Sequence, residues 1–213
     1  MDKLNSKLAS GRQNGKHQID WQRDRILDVA QKLFLQNGLK NVKMGDIAAE
    51  ASMTKMTLYR YFSNIDEIAV LIHERMLAQI AAQIDPEDLT MSFESLKKLV
   101  HQIICNFNTL RDAYCYVGMF DSLYMDNPLG TSVTEWMKTQ LGSYPFGTLS
   151  LGDISHDPSQ SSHFALILNN LTWFLEKLAM RGELTWSDPS IPLEEHLKNY
   201  EEMIMLYIDA QSK

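Results

Sequence analysis

The sequence predicts an all-α protein of two domains, and three observations carry that prediction. Apolar residues recur at spacings of three and four in one segment after another, helix caps and stops bound those segments, and no stretch alternates with the period of two that a strand needs. The chain has 213 residues, 45% of them hydrophobic, enough for a sizeable core.

Residues 1–18 carry Lys3, Lys7, Arg12, Lys16 and His17 among Ser, Asn, Gly and Gln, and are expected to form a disordered basic arm. From Asp20, the set Ile26, Val29, Ala30, Leu33 and Phe34 marks one face of a helix, which Gly38 stops. Met44, Ile47, Ala48 and Ala51 give a second, short helix, interrupted at Ser52-Met53. Thr54 is placed to cap a third helix over residues 54–62, with Leu58 and Phe62 as its buried edge. Asn64 with Glu67 three residues on resembles a capping box, and Asp66 and Glu67 suit the positive end of the helix dipole. Ile68, Leu71, Ile72, Met76 and Ile80 then extend a long amphipathic helix to Ile84, before Asp85-Pro86.

Further helices are expected along the apolar set from Phe93 to Phe107 and from Tyr114 to Met125. Two more open at Asn127-Pro128 and Asp157-Pro158, where proline fits the first helical position, and the last is Leu193 to Asp209. Residues 142–156, rich in Gly, Ser and Pro, read as a loop. The domain boundaries that follow are 1–18 for the arm, 19–65 for the first domain and 66–213 for the second.

Composition narrows the function. There is no apolar leader at the N-terminus and no run long enough to span a bilayer, so a cytoplasmic protein without a membrane partner is expected. Cys105 and Cys115 lack disulfide or zinc spacing and are expected as buried reduced thiols. The net charge of −7 argues against a nucleic-acid partner, but it is unevenly spread. Through Asn64 there are 11 Lys plus Arg against 6 Asp plus Glu, and beyond it 9 against 21. A basic head on an acidic body suggests an anion-binding first domain.

Two short helices joined by a turn, behind a supporting helix, have the layout of a helix-turn-helix. With Leu58 and Phe62 turned inward, Lys55, Met56, Thr57, Tyr59, Arg60 and Tyr61 share the other faces. Lysine and arginine donate to guanine O6 and N7, and a threonine methyl suits the thymine methyl. Hydroxyls of Thr54, Tyr59 and Tyr61 can donate to phosphates, which sets register without reading sequence.

The stretch VKMGDIAAEASMTKMTLYRYFSNIDEI, Val42 to Ile68, resembles the DNA-binding signature of TetR-family transcriptional regulators. Its elements are Asp46-Ile47-Ala48, the turn Ala51-Ser52-Met53, the helix Thr57-Leu58-Tyr59-Arg60-Tyr61-Phe62 and the acidic pair Asp66-Glu67; upstream, Ile26 to Val42 is similar to the family's first helix. The resemblance covers roughly residues 20–80. It implies a three-helix DNA-binding domain and a larger helical body for ligand binding and dimerisation. It also implies base-edge contacts from Lys55, Met56, Thr57, Tyr59 and Arg60, and backbone contacts from Thr54, Tyr61 and Lys43. Four positions depart from the family's pattern: Ser52 replaces the turn glycine, Met56 a glycine beside the lysine, Lys43 a capping threonine, and Ile65 a lysine that anchors phosphate. An atypical base preference is expected, with the arm either compensating in the minor groove or idle.

The resemblance further implies a homodimer through the last two helices, and the large apolar groups over residues 159–181 and 193–209 agree with it. A two-fold dimer matches a near-palindromic double-stranded operator. Phe107, Tyr114, Phe120, Tyr124, Trp136 and Trp173, with Tyr116, Met119, Met125 and Met137, form an aromatic and methionine set; it reads either as plain core or as the wall of a site for a small hydrophobic effector. Glu135, Asp121 and Glu176 are carboxylates suited to a cation or simply solvated. The six histidines have no metal spacing, and phosphate-cradling glycine motifs and nucleophile elbows are absent. Neither cofactor, metal nor catalysis is expected. The function expected is a DNA-binding regulator, a repressor released by a hydrophobic ligand, with control by a protein partner as the alternative.

Overall fold

The computed structural model describes residues 2–83, 92–125, 158–181 and 192–212, with the side chains of 2–17, 125, 158–163, 165 and 181 left aside. Among these residues all regular structure is helical. The chain divides into two compact units, residues 1–72 and 73–213. The division falls inside the fourth helix rather than at its start.

The first unit holds α1 (Asp2–Asn37), α2 (Met44–Glu50), α3 (Lys55–Tyr59) and the opening turns of α4 (Ile65–Ala81). Helix α1 takes in residues 2–18, where a disordered arm was expected. No proline interrupts the chain before Asn37, and Gly11 and Gly15 lower helix propensity by only about 1 kcal/mol each without removing a hydrogen bond. Gly38 ends α1 as expected, at φ +80, with its N–H donating to the Phe34 carbonyl at 2.8 Å. Ile26, Ala30 and Phe34 of α1, Ile47 and Ala48 of α2, and Leu58 and Phe62 are buried in this unit.

The second unit contains the rest of α4, α5 (Phe93–Cys105), α6 (Arg111–Phe120), a π-helical turn (Asp121–Met125), α7 (Pro158–Arg181) and α8 (Leu193–Gln211). Ser92 caps α5, its hydroxyl accepting from the Ser95 N–H at 3.0 Å. Helix α6 starts three residues before the expected Tyr114 and loosens to π geometry at Asp121, a widening of a kind common at functional sites. The expected helix opening at Asn127-Pro128 and the loop 142–156 lie outside the described residues, as do residues 84–91. No described helix is long and apolar enough to cross a membrane.

Helices α6 and α7 pack closely because Gly118 leaves room: a Cβ there would lie 2.7 Å from Met180 Sδ and 3.0 Å from Glu176 Cβ. Met180 can swing aside, but a Cβ atom is fixed to its own backbone. Gly118→Ala is therefore expected to lose stability despite gaining about 1 kcal/mol of helix propensity, since overpacking costs about 1–3 kcal/mol. Gly118→Val should lose more. Urea denaturation of the two variants measures this, and an Ala variant more stable than the parent would show that α7 yields.

Candidate nucleic-acid interface

Helix α2 begins without a side-chain cap at Lys43; the Asp46 carboxylate instead accepts the Lys43 N–H at 2.8 Å. At its other end the Met53 N–H reaches the Ala48 carbonyl and the Ser52 N–H the Ala49 carbonyl, at 2.9 and 3.0 Å. This pair of bonds is a Schellman closure, which needs a left-handed residue at Ser52, and Ser52 has φ +55. The turn geometry thus survives the missing glycine, at a conformational cost.

Thr54 caps α3 as expected, accepting from the Thr57 N–H at 3.1 Å, and the two hydroxyls also meet at 2.9 Å. The regular α-helix is shorter than expected, ending at Tyr59, because the following turn tightens: Tyr61 N–H donates to the Leu58 carbonyl. Leu58 and Phe62 are buried. Lys43, Thr54, Lys55, Met56, Tyr59 and Arg60 are exposed, and Thr57 and Tyr61 half-buried. Met56 is 79% exposed, an apolar tip on an otherwise polar surface. The Lys55 stem lies across α2, its Cε 2.6 Å from where a Cβ on Gly45 would sit. Gly45 therefore sets where the Lys55 ammonium can go.

Two arginines of α1 that sequence reading passed over buttress this surface. Arg23 stacks over the Phe62 ring at 4.3 Å, donates to the Tyr61 carbonyl and pairs with Glu67 at 3.5 Å. Glu67 also accepts the Ser63 N–H at 2.7 Å, while Asn64 accepts the Glu67 N–H at 2.8 Å, so the expected reciprocal cap closes one residue early. Arg25 donates to the Ala51 carbonyl in the turn at 3.3 Å. Their only sequence signal is two cations on the polar side of a helix.

In the second unit Phe107, Tyr114, Tyr116 and Phe120 are buried and Tyr124 half-buried against Phe120, with ring centroids 4.5 Å apart. Trp173, grouped with them from sequence, is instead 56% exposed: it falls on the face of α7 opposite Leu171 and Leu175, which hold the core. Trp136, Met137, Glu135 and the Met125 side chain lie outside the described residues. Two polar groups enter this core. His73 is fully buried, stacked on Phe120 at 4.1 Å with Nε2 3.6 Å from Asp121 Oδ1, and Glu176 is almost fully buried. Burial first, then the Glu176 charge, pushes the Tyr114 hydroxyl well above the usual phenol range. Among the described residues no group of three acidic, histidine or cysteine side chains could hold a metal ion. Cys105 is exposed, not buried as expected, because it ends α5 on that helix's outer face; Cys115 is half-buried, and both are free thiols.

Fold and surface together define an all-helical protein with an N-terminal helix-turn-helix. Residues 26–72 match the family described as bacterial regulatory proteins, tetR family. It is 30% identical over 120 residues to an HTH-type transcriptional regulator of Staphylococcus aureus, an alignment covering 48% of this chain and 65% of that protein. It is 31% identical over 86 residues to an uncharacterized HTH-type transcriptional regulator of Mycobacterium tuberculosis, covering 36% of this chain and 43% of that one. The chain thus spans less than two thirds of either relative. Its fold is similar to that of a TetR-like transcriptional regulator from a Rhodococcus species, with TM-score 0.54 and 18% identity over 90% of this chain and 97% of the other. A TetR-family regulator from Thermus thermophilus gives TM-score 0.52 and 19% identity over 85% and 97%.

The left-handed Ser52 supplies a test of the turn. Ser52→Gly is expected to raise stability by about 0.5–1.5 kcal/mol, since glycine avoids the Cβ clash and the turn is otherwise complete. Thermal melting of the pair measures it; a lower melting temperature would mean that the Ser52 side chain holds the turn.

Proposed function

We propose that the protein is a sequence-specific DNA-binding transcriptional regulator, a homodimeric repressor released by a small hydrophobic ligand. One observation carries the reading: α3 and the turn after it bury Leu58 and Phe62 while Lys55, Met56, Tyr59 and Arg60 stand exposed together. Such a helix fits a major groove, with lysine and arginine toward guanine edges and Met56 making apolar contact at a thymine methyl. Lys43, at the start of α2, and the hydroxyls of Thr54 and Tyr61 serve the phosphates. Thr57 contributes its methyl, because its hydroxyl is engaged with Thr54.

The dimer reading rests on α7 and α8. Leu166 and Trp173 of α7 and Met203 and Tyr207 of α8 are exposed large apolar groups, and the two helices are tied by Phe174 stacked on Tyr200 at 3.8 Å. A second copy of the same face would cover them, and a two-fold dimer suits an operator whose half-sites lie about one DNA turn apart. The ligand reading rests on Phe107, Tyr114, Phe120 and Tyr124, with the π turn allowing the rings to part. Ligand and operator then weaken each other by the same factor.

Selection of genomic fragments by the purified protein near physiological salt should enrich one near-palindrome; no shared motif would overturn sequence-specific binding. On that site Arg60→Ala and Lys55→Ala are expected to cost about 1–3 kcal/mol in specific binding, and Lys43→Ala to weaken all sequences alike and flatten the salt dependence. Gly45→Ala should reproduce part of the Lys55→Ala loss by displacing that side chain. Equal losses on operator and random DNA for Lys55 and Arg60 variants would remove their base-reading roles.

Trp173→Glu with Met203→Glu should convert dimer to monomer in sedimentation and abolish operator binding; an unchanged dimer would place the partner elsewhere. A compound that raises the melting temperature of the body should weaken operator binding. Undiminished binding with that compound would favour control by a protein partner.

A further inference from the structure

Helix α1 runs on past the edge of the unit it helps to build. Gln18, Ile19, Asp20 and Trp21 are all exposed, Ile19 by 53% and Trp21 by 61%. Four successive residues occupy every side of one helical turn, so no side of α1 is covered there. The unit takes hold of α1 at Arg23, which lies over the Phe62 ring and donates to the Tyr61 carbonyl. Before residue 18 the helix continues from Asp2, and at 1.5 Å per residue it adds a further rod of about 24 Å.

This overhang is basic, with Lys3, Lys7, Arg12 and Lys16 over residues 2–18 against Asp2 alone. Helical register divides the cations into two pairs. Arg12, Lys16 and Ile19 continue, at steps of four and three, the stripe of Arg23, Ile26 and Ala30. Lys3 and Lys7 fall about half a turn away, in line with Trp21.

The stripe has a direction. Ile26 and Ala30 are buried and Arg23 lies on Phe62, so within the unit it meets the helix-turn-helix. Leu58 and Phe62 are the buried side of the α3 segment, and Lys55, Met56, Tyr59 and Arg60 its exposed side. The line from α1 through α3 therefore leads to whatever α3 binds. On the proposed function, on which this inference rests, that is a major groove. A helix sunk in a groove leaves a phosphate ridge standing on either flank, and positions 12 and 16 overhang on that side.

Helix width decides what the overhang can touch. A helix with its side chains is about 10–12 Å across and the minor groove about 6 Å wide, so the overhang does not enter that groove as an extended chain could. Phosphate oxygens stand within reach, and they carry no sequence information.

We propose that residues 2–18 form a helical arm that binds the DNA backbone beside the base-reading helix, with Arg12 and Lys16 as its phosphate contacts. Lys3 and Lys7 lie on the side away from the duplex. The arm adds affinity for duplex DNA in general and no choice of sequence.

The test is the salt dependence of binding by the whole chain, measured by fluorescence anisotropy on the selected operator and on a random duplex of equal length. Each phosphate contact contributes about 0.9 to the slope of log affinity against log salt. Arg12→Ala with Lys16→Ala is expected to flatten that slope by about 1.8 on both duplexes and to leave the ratio of the two affinities unchanged. Lys3→Ala with Lys7→Ala removes the same charge and should alter the slope far less, because salt screens charges beyond about 8–10 Å. Gln18→Pro keeps every charge but breaks the helix at an exposed position, and should flatten the slope as the Arg12 and Lys16 variant does. Melting temperatures should match the parent's in all three, since residues 2–18 stand outside the core. An unchanged slope without Arg12 and Lys16, equal flattening without Lys3 and Lys7, or an unaffected Gln18→Pro variant would each overturn the proposal. So would a loss confined to duplexes with A·T-rich flanks, the mark of a minor-groove contact. A parent chain that prefers no sequence would overturn the proposed function instead, while slopes on the random duplex still decide the arm.

Discussion

The burial of Leu58 and Phe62 is the constraint on which the exposed surface of α3 depends. Helix α3 has five residues, far fewer than the roughly 12–15 at which an isolated helix becomes even marginally stable in water. It therefore exists because its neighbours hold it. Thr54 fixes where it starts, Leu58 and Phe62 fix which face turns inward, and the direction of Lys55, Met56, Tyr59 and Arg60 follows from that. Arg23 closes the other end by covering Phe62 and binding the Tyr61 carbonyl, while Arg25 holds the turn carbonyl of Ala51. These two arginines of the basic head act internally. The positive charge left for a partner is correspondingly smaller than the sequence count implies.

In the second unit the decisive feature is polar burial among aromatic rings. His73 and Glu176 sit inside the core, where each keeps an interaction partner. His73 meets Asp121 at the start of the π turn, and Glu176 lies on the helix that Gly118 draws close. Replacing well-partnered buried polar groups by apolar ones of the same size is often neutral for stability. Their presence beside Tyr114 and Phe120 is the feature that a binding role for this unit would explain.

Much of this was legible in the sequence, and the reasons for success and failure are physical. Gly38 and Thr54 act through local geometry, and local geometry is written in a few adjacent residues. Periodicity likewise identified Leu58 and Phe62 as core and the residues between them as surface. It failed for Trp173 because a helix with large apolar groups on two faces does not say which face meets the core. Distant partnerships were illegible: nothing in the chain links Arg23 to Phe62, His73 to Phe120, or His101 to Glu201 across a hundred positions. The irregular arm was mistaken for a different reason, since a polar composition without proline leaves helix propagation from a stable neighbour unopposed.

Charge bears on the kind of DNA reader that the proposed function describes. Of the cations before Asn64, Arg23 and Arg25 are committed inside the first unit, and beyond that point acidic groups outnumber basic ones by 21 to 9. Counterion release, which drives binding to any sequence, scales with the number of phosphates neutralised. Two of the eleven cations before Asn64 are spent inside the unit, which leaves nine to meet phosphates in a protein of net charge −7. Under the proposed function, fit at base edges adds to that term, and there Met56 presents an apolar surface that rewards a thymine methyl and gains nothing from a backbone. The proposed reading therefore divides its affinity between the cations, which serve any sequence, and Met56, which serves a thymine methyl alone.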